Sequence, residues 1–505
     1  MNKLTKILCT VFMLAALPAV GRAATTSDGI VYSVRQDSYV EITKYEGDDT
    51  RLEIPGEIDG KPVASIKEKA FQSCTSLKNV TVPNGVTNIG DKAFAGCTSL
   101  NMITLPKNAM NIGVGAFDNT SYYNRSGNWR KGVLYIGVHL ISADDGNPSR
   151  TEVSGDYDVI SGTVSVAAGA FAGCGELTEI YFPSSVKIIG DGAFKKCSSL
   201  VYAYISDATE LTSLGEGAFM NCALLRSVYM PEAIEEIGMG AFSGCTNLRS
   251  VTIPDGVVSI GESAFQDCIS LAAITIPSGV VTIGASAFNG CKKLADIEGC
   301  EGVREIDKAA FSGTAFYKNN SNYVDGALYI GPCLINGKKV VGEYALLPGT
   351  RVIAAEAFYA NSTVTSLKIP KTLVGIGKRA FLICSALKDV YYEGSKAEWG
   401  NIFIDTGNAV LSKTTFHFSG PSLTGLNVMV NKDRLAVSVE PADIPNGATL
   451  FAAAYDAGGG YITGAVMKDG RADMTAQGAS LVKVFAWDSL AGLRPLCAAA
   501  EAEVI

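Results

Sequence analysis

The chain has 505 residues, with 42 basic and 50 acidic side chains, two histidines and a net charge of −8. Charged residues make up 18% of it and apolar residues 47%, which excludes a disordered protein and one that coats nucleic acid. Thirteen cysteines without a C-x-x-C pair, and so few histidines, argue against structural zinc and a histidine-based enzyme. We therefore expect no cofactor, no metal and no nucleic-acid partner.

Residues 1–23 have the pattern of a signal peptide. Two lysines precede an apolar run, Ile7–Val20, that is too short to span a bilayer. Small residues at Gly21 and Ala23 predict cleavage before Ala24. No later stretch reaches 18 apolar residues, so we expect no transmembrane segment after cleavage. The mature chain is expected outside the cell or at its surface, as a monomer.

An Ala-Phe pair recurs along most of the chain with a dominant period of 23 residues. Its phenylalanines are Phe71, Phe94, Phe117, Phe171, Phe194, Phe219, Phe242, Phe265, Phe288, Phe311, Phe358 and Phe381. Such a period predicts a solenoid, in which each repeat forms one coil stacked on the next. The twelve rings would then form one internal spine.

Each coil begins with L-x-x-V-x-[IV], where apolar and polar residues alternate. This pattern predicts a short strand that pairs in parallel with strands one period away. Proline follows the strand in seven coils and limits its length. Glycine lies four residues before Phe in eight coils, which predicts a tight turn. That turn does not require a left-handed backbone, because four other residues take the same offset: Lys67, Ala167, Asp307 and Ala354.

Two longer steps of 54 and 47 residues interrupt the period, and they contain matching segments at 129–137 and 323–331. We interpret the regions near 121–165 and 315–352 as variant coils, so that the solenoid runs through residues 24–418. A linker is predicted at 419–422. Beyond it the period is absent, and residues 423–505 show alternating apolar runs separated by turn residues, which predicts a small β-sandwich.

The pattern L-x-x-V-x-[IV]-P-x-x-V-x-x-[IG]-x-x-A-F-x-x-C resembles the BspA-like class of bacterial leucine-rich repeat, over nearly four fifths of the chain. The resemblance implies a leucine-rich repeat solenoid with a parallel β-sheet and short irregular or helical turns. It also implies an exported surface protein or adhesin that contacts host or neighbouring-cell proteins. The segments Lys483–Leu490 and Arg494–Cys497 resemble a small β-sandwich module that ends many secreted proteins of anaerobic Gram-positive bacteria.

Nine cysteines share one offset, three residues after Phe: Cys74, Cys97, Cys174, Cys197, Cys222, Cys245, Cys268, Cys291 and Cys384. Stacked coils place neighbours in this ladder about 5 Å apart, which permits disulfides, redox chemistry or metal binding. Thr120, Thr314 and Asn361 take the same offset in other coils, which favours buried, unpaired and unreactive thiols. Cys300, Cys333 and Cys497 lie outside the ladder and receive no assignment.

The residues on either side of the central strand Val or Ile are expected to face outward. Tyr181, Tyr202, Tyr204 and Tyr229 take these positions on three neighbouring coils, and Glu179 lies beside them. Tyrosine offers a rigid apolar face and a hydroxyl at small entropic cost, so we predict a ligand-binding cluster on the concave face of the solenoid. Alternatively, tyrosine simply covers the sheet, because its β-propensity is high.

We therefore expect a non-enzymatic, adhesin-like protein whose concave face binds a protein partner. A second hypothesis makes the tyrosines a glycan-binding platform, on which rings stack on sugars and Glu179 accepts hydrogen bonds from hydroxyls. A third makes the array a passive spacer that displays the C-terminal domain. His139 and His417 have no partner pattern around them and are interpreted as structural. The partner's identity and the mode of cell attachment do not follow from the sequence.

Overall fold

The computed structural model describes residues 24–108, 110–143 and 153–418, together with seven strands between residues 429 and 503. The predicted signal peptide and the predicted linker at 419–422 lie outside the described residues. The chain divides into two compact units, Met1–Asn322 (unit 1) and Tyr323–Ile505 (unit 2). Within the part that is described, no helix has both the length and the apolar character needed to cross a membrane.

Unit 1 begins with an antiparallel hairpin that leads into parallel coils. One sheet contains β1 (Ala24–Thr25), β2 (Ile30–Arg35), β3 (Tyr39–Tyr45), β6 (Lys61–Ile66), β8 (Asn88–Ile89) and β10 (Asn111–Ile112), with β5 (Glu57–Ile58) paired to β6. A second sheet contains β4 (Arg51–Glu53), β7 (Asn79–Thr81) and β9 (Met102–Thr104).

The rest of unit 1 repeats this two-row arrangement after a second hairpin. One row contains β11 (Trp129–Arg130), β12 (Val133–Ile136), β13 (His139–Ala143), β15 (Ser165–Val166), β17 (Ile188–Ile189), β19 (Ser213–Leu214), β21 (Glu236–Ile237), β23 (Ser259–Ile260), β25 (Thr282–Ile283) and β27 (Glu305–Ile306). The other row contains β14 (Gly155–Asp158), β16 (Leu177–Tyr181), β18 (Tyr202–Tyr204), β20 (Ser227–Tyr229) and β22 (Ser250–Thr252), and then the pair β24 (Ala273–Ile276) and β26 (Asp296–Gly299).

Unit 2 starts with a third hairpin and again has two rows. One contains β28 (Tyr323–Val324), β29 (Ala327–Ile330), β30 (Cys333–Asn336), β32 (Val352–Ile353), β34 (Gly375–Ile376) and β36 (Phe403–Ile404). The other contains β31 (Gly342–Ala345), β33 (Val364–Ile369), β35 (Asp389–Tyr392) and β37 (Thr415–Phe418).

The described residues beyond 418 form two antiparallel sheets. These contain β38 (Met429–Asn431), β39 (Ala436–Ser438) and β42 (Arg471–Asp473), and then β41 (Tyr461–Val466), β40 (Thr449–Tyr455), β43 (Leu481–Trp487) and β44 (Ala500–Glu503). An all-β C-terminal region agrees with the alternating sequence pattern. Its resemblance to a module of secreted proteins stays a prediction.

Among the described residues, helices are short and lie in the variant coils or between β35 and β36. They are α1 (Ser121–Asn124), α2 (Ala315–Lys318) and α3 (Lys396–Trp399), with 3-10 turns at Ser126–Asn128, Ile205–Asp207, Asn320–Asn322 and Leu411–Lys413. The side chains of Thr120 and Thr314 cap α1 and α2 by accepting backbone hydrogen bonds. These threonines take the position that Cys has in most coils, so replacement of Cys by Thr marks the coil that leads into α1 or α2.

Two strands per coil are present, of which sequence analysis predicted one. The L-x-x-V-x-[IV] strand is confirmed, and its parallel register joins equivalent residues, for example Ile180 with Ala203. In the regular coils the second strand is only two residues long and ends just before the recurring turn position, for example at Ile260 beside Ile283. Because one apolar residue cannot display an alternating pattern, periodicity did not reveal this row.

Glycine four residues before Phe is favoured by close approach and not by backbone dihedral angle, and Asp307 takes this offset in a regular coil. A Cβ on Gly90 would lie 2.4 Å from the backbone nitrogen of Glu68 in the preceding coil, and one on Gly190 would lie 2.6 Å from that of Ala168. Lys67 is tolerated at this offset because the strand before it, β3, belongs to a hairpin and not to a regular coil.

Left-handed residues instead flank every repeated Phe. In all twelve coils the residues two before and two after Phe have positive φ, for example Lys92 at 53° and Gly96 at 75° around Phe94. In most of these coils the left-handed residues accompany an alternation of hydrogen bonds. The backbone N–H groups of Lys92, Phe94 and Gly96 donate to the next coil, whereas those of Ala93 and Ala95 close turns within their own coil.

The phenylalanines stack face to face, but not in one series. In unit 1 the rings form one run from Phe71 to Phe117 and another from Phe171 to Phe311, with centroids 4.8–5.6 Å apart. Unit 2 contains the stacked pair Phe358 and Phe381. The prediction of one unbroken spine is therefore wrong in unit 1. In a regular coil the backbone N–H of the repeated Phe donates to the Ala of the next Ala-Phe pair. The inserted hairpin places Ala143, which has no ring, in this position beside Ala170.

The cysteine ladder has a structural role. Seven of the nine thiols donate to the backbone carbonyl of the Phe in the preceding coil, at Sγ–O distances of 2.9–3.2 Å: Cys97 to Phe71, Cys197 to Phe171, Cys222 to Phe194, Cys245 to Phe219, Cys268 to Phe242, Cys291 to Phe265 and Cys384 to Phe358. Burial raises the pKa of Cys291 to about 12 and that of Cys384 to about 11. A thiol with so high a pKa stays protonated and is a poor nucleophile, as the sequence predicts.

Replacing Ile383 with Asn should stabilise the protein. Ile383 has φ 65° and an exposed fraction of 56%, so its β-branched side chain strains the backbone without filling the core. Asparagine tolerates this conformation, and we expect a gain of about 1 kcal/mol, read as a higher thermal midpoint. Ile383→Val keeps the branched Cβ and should give no gain; an equal rise in both variants would contradict the explanation.

Cys74 should be the most reactive ladder thiol. It is only partly buried, and the neighbouring Cys97 thiol lowers its pKa because it can donate to the Cys74 thiolate. Alkylation of the native protein, followed by peptide mapping, should label Cys74 at least about tenfold faster than Cys245. Unfolding in denaturant should make the two rates similar, which serves as the control. Fast native labelling of Cys245 would show that the ladder is accessible.

Candidate functional site

The predicted tyrosine cluster lies on the row formed by β14, β16, β18, β20 and β22. Parallel register brings Glu179 beside Tyr202 and Tyr181 beside Tyr204. The residue between each pair, Ile180 or Ala203, is buried, whereas the cluster residues are half-buried or exposed. The prediction that these side chains leave the core is therefore confirmed. It follows from strand alternation alone.

Tyr181 and Tyr204 form a stacked pair held by one carboxylate. Their ring centroids are 4.4 Å apart, with an interplanar angle of 7°. The Tyr181 hydroxyl donates to Glu179 Oε2 over 2.6 Å, and the Tyr204 hydroxyl approaches the same oxygen at 3.3 Å. One carboxylate oxygen thus fixes both ring orientations, and Glu179 is a positioning residue for the pair.

Tyr202 and Tyr229 do not join the stack formed by Tyr181 and Tyr204. The Tyr202 ring lies 6.2 Å from that of Tyr204, tilted by 36°. Tyr229 is paired with Thr252 on the next strand and is 61% exposed. The coil after Tyr204 is two residues longer than usual, and the 3-10 turn Ile205–Asp207 ends the strand there. As a result the structure brings three of the four predicted tyrosines together, and Tyr229 stands apart in the same sheet.

Two carboxylates that sequence analysis missed extend the cluster. Asp156 lies in register with Glu179, and Asp158 with Tyr181. Both aspartates are exposed, and Asp156 Oδ1 accepts a hydrogen bond from Thr178. They belong to a variant coil without the repeat signature, so their register was not readable from the period. We call Asp156, Asp158, Glu179, Tyr181 and Tyr204 the acidic aromatic patch.

Unit 2 carries a related arrangement that was also missed. Tyr391 stacks on His417 with centroids 4.3 Å apart, and His417 Nε2 lies 2.9 Å from Asp389 Oδ1. Tyr391 and His417 are exposed, and Tyr391 and Asp389 are the partners of His417 that its sequence surroundings did not reveal. The signal that could have found it is its position one residue after a strand's central apolar residue, Phe416, the same position that Tyr181 takes after Ile180.

His139 fits the structural interpretation. It is fully buried in β13, and its Nε2 lies 2.7 Å from the carbonyl oxygen of Pro106. Burial lowers the pKa of His139, so its ring is held neutral. Within the described residues, no group of three or more His, Cys, Asp or Glu side chains is placed to hold a metal ion.

Replacing Glu179 with Gln should lower the pKa of Tyr181. In the native protein the pKa of this phenol is raised, mainly by its hydrogen bond to the Glu179 carboxylate and to a smaller extent by desolvation. The carboxylate has this effect because a phenolate would face its negative charge. The measurement is a pH titration of the ¹³Cζ resonance of labelled tyrosine, assigned with Tyr181→Phe. Asp296→Asn, on another strand, serves as the control and should leave the titration unchanged. An unshifted Tyr181 resonance in the Gln variant would contradict the assigned hydrogen bond.

Comparison with known proteins agrees with this fold. The model of the BspA type leucine rich repeat region matches residues 57–140, 158–238, 212–323 and 343–409, which is more than half of the chain. No curated protein matches the chain significantly.

Solved structures that resemble the chain include other leucine-rich repeat proteins. One from Bacteroides ovatus is 22% identical, covers 78% of this chain and 99% of its own, and has a TM-score of 0.31. A leucine rich cell surface protein from Faecalibacterium prausnitzii is 24% identical, covers 76% of this chain and 98% of its own, and has a TM-score of 0.28. With its repeat matched over most of its coils, the chain belongs to the BspA-type leucine-rich repeat family.

Proposed function

We propose that the chain is a non-enzymatic, adhesin-like binding protein whose outward-facing tyrosines contact a protein partner at the cell surface. The observation that carries the proposal is the Tyr181–Tyr204 stack, which Glu179 holds on the exposed face of a parallel sheet. Tyrosine is enriched at the centres of protein interfaces, and this pair lies where a partner can reach it.

Rigidity makes the pair suitable for binding. An interface loses free energy when it must order mobile side chains, at a cost of about 0.5–1.5 kcal/mol for each. Strand register and the shared carboxylate already order Tyr181 and Tyr204 in the unbound protein. Tyr229 adds an exposed ring on the same sheet. A rigid aromatic pair with an exposed neighbour is therefore able to bind without a large ordering cost.

A role outside the cell is consistent with two further features. Membership of the BspA-type family supports a surface protein, and the sequence predicts a signal peptide before Ala24. The buried thiols donate to backbone carbonyls, so packing of the core does not depend on forming disulfides, inside or outside the cell. The concave curvature expected of the binding face is part of the proposal.

Removing the tyrosines should abolish partner binding. The test variant replaces Tyr181, Tyr202, Tyr204 and Tyr229 with Ser in the full chain, which is then applied to arrays of surface proteins and of glycans. We expect binding to protein spots to fall at least about tenfold, because clustered aromatic residues dominate interface energies. A matched variant with Phe at the four positions keeps the ring faces and should retain most of the binding.

The two arrays separate the competing hypotheses. Loss confined to the glycan spots would replace the protein partner with a sugar. Unchanged binding on both arrays would overturn the proposal and favour the hypothesis that the repeats are a passive spacer. Thermal unfolding of each variant shows whether the coils remain folded, since the replaced residues lie on the exposed side of their strands.

A further inference from the structure

We infer that the acidic aromatic patch binds an arginine or lysine side chain of an extended, basic segment of the partner. This inference rests on the proposed function and specifies the chemistry of the partner. It is carried by the Tyr181 ring, one face of which is free of aromatic contacts among the described residues, and by the carboxylates in register around it.

The register places a carboxylate beside the open face of Tyr181. β16 lies between β14 and β18, and the Tyr181 ring stacks on Tyr204 towards β18. Its other face is directed towards β14, where Asp158 is its register partner. Neighbouring strands are about 4.8 Å apart, so a cation over this ring face would also lie close to the Asp158 carboxylate. A cation over an aromatic face, within about 6 Å of its centroid, is attracted by the ring.

Charge complementarity selects a basic occupant. Asp156, Asp158 and Glu179 supply three carboxylates on two adjacent strands. The strands β14, β16, β18, β20 and β22, all within the described residues, contain no Lys or Arg. Arg226 and Arg249 precede β20 and β22, on the side of the sheet away from β14. Within these strands, therefore, no cation compensates the three carboxylates.

Hydrogen-bonding capacity is also available at the patch. From the described residues, no hydrogen bond reaches the carboxylate of Asp158, and Glu179 uses only Oε2 to hold the tyrosines. A guanidinium has five N–H donors and forms bidentate pairs with carboxylates. It also stacks on aromatic faces, which an ammonium does less well, so arginine is the better fit.

The related arrangement in unit 2 shows what a different charge does at this position. There Lys368 is the register partner of Tyr391, at the place that Asp158 takes beside Tyr181. Tyr391 therefore has a basic residue beside it in its own sheet, where Tyr181 has an acidic one. A preference for a basic partner thus belongs to the unit 1 patch and not to every stacked ring pair of the chain.

The test uses a synthetic peptide with four Gly-Ser-Arg repeats and a matched peptide in which uncharged citrulline replaces arginine. The full chain is compared with Asp158→Asn/Glu179→Gln. The matched control is Asp296→Asn/Glu298→Gln, which removes the same charge from exposed positions of β26. We expect the arginine peptide to bind the unaltered chain at least about tenfold more tightly than the patch variant, and within about twofold of the control. The citrulline peptide should bind weakly to all three.

Equal loss in both variants would show that only overall charge matters and would overturn the inference, as would equal binding of the two peptides. Failure of this inference is distinguishable from failure of the proposed function. If array binding falls in the tyrosine variant but not in Asp158→Asn/Glu179→Gln, the tyrosines bind a partner without a basic contact. Binding of glycan spots that depends on the carboxylates would likewise replace the basic segment with a sugar.

Discussion

Parallel hydrogen bonding between successive coils is the constraint on which the rest of the structure depends. In the arc around most of the repeated Phe residues, alternate N–H groups donate to the next coil, and the groups between them close turns within their own coil. The same arc has a left-handed residue two positions before and two positions after every repeated Phe. It also brings equivalent side chains to a spacing at which rings stack and thiols reach the preceding carbonyls.

The hairpins show how the same constraint tolerates interruption. β13 and β30 each enter a row by antiparallel pairing with the preceding strand and leave it by parallel pairing with the next coil. Each hairpin therefore starts a new sheet and passes parallel pairing on to the coils that follow it, while the side-chain ladder of the preceding coils stops. The ring series in unit 1 ends at Phe117 and resumes at Phe171 for this reason. Pairing needs only a backbone, whereas stacking needs a ring in every coil.

Surface chemistry follows from register in the same way. Glu179 and Tyr204 are 25 residues apart in sequence, yet one carboxylate oxygen contacts both this tyrosine and Tyr181. A repeat array can thus assemble a rigid patch from single residues on separate coils, without loops that must be ordered on binding. The variant coil adds Asp156 and Asp158 to one side of that patch, so an irregularity of the repeat supplies much of its charge.

The sequence by itself determined the solenoid, the first strand of each coil and the outward direction of Tyr181, Tyr202, Tyr204 and Tyr229. These properties depend on a 23-residue period and on strand alternation, both of which are written locally. Only the tertiary structure decided the second row of strands, the break in the phenylalanine series and the sharing of Glu179 by two tyrosines. It also decided which tyrosine stands apart. The 3-10 turn after Tyr204 ends the pairing of β18 with β20 at Ala203 and Val228, so Tyr204 and Tyr229 are not register partners. Each of these features depends on how one coil hydrogen-bonds to its neighbour, and a pattern read along a single strand does not contain that information.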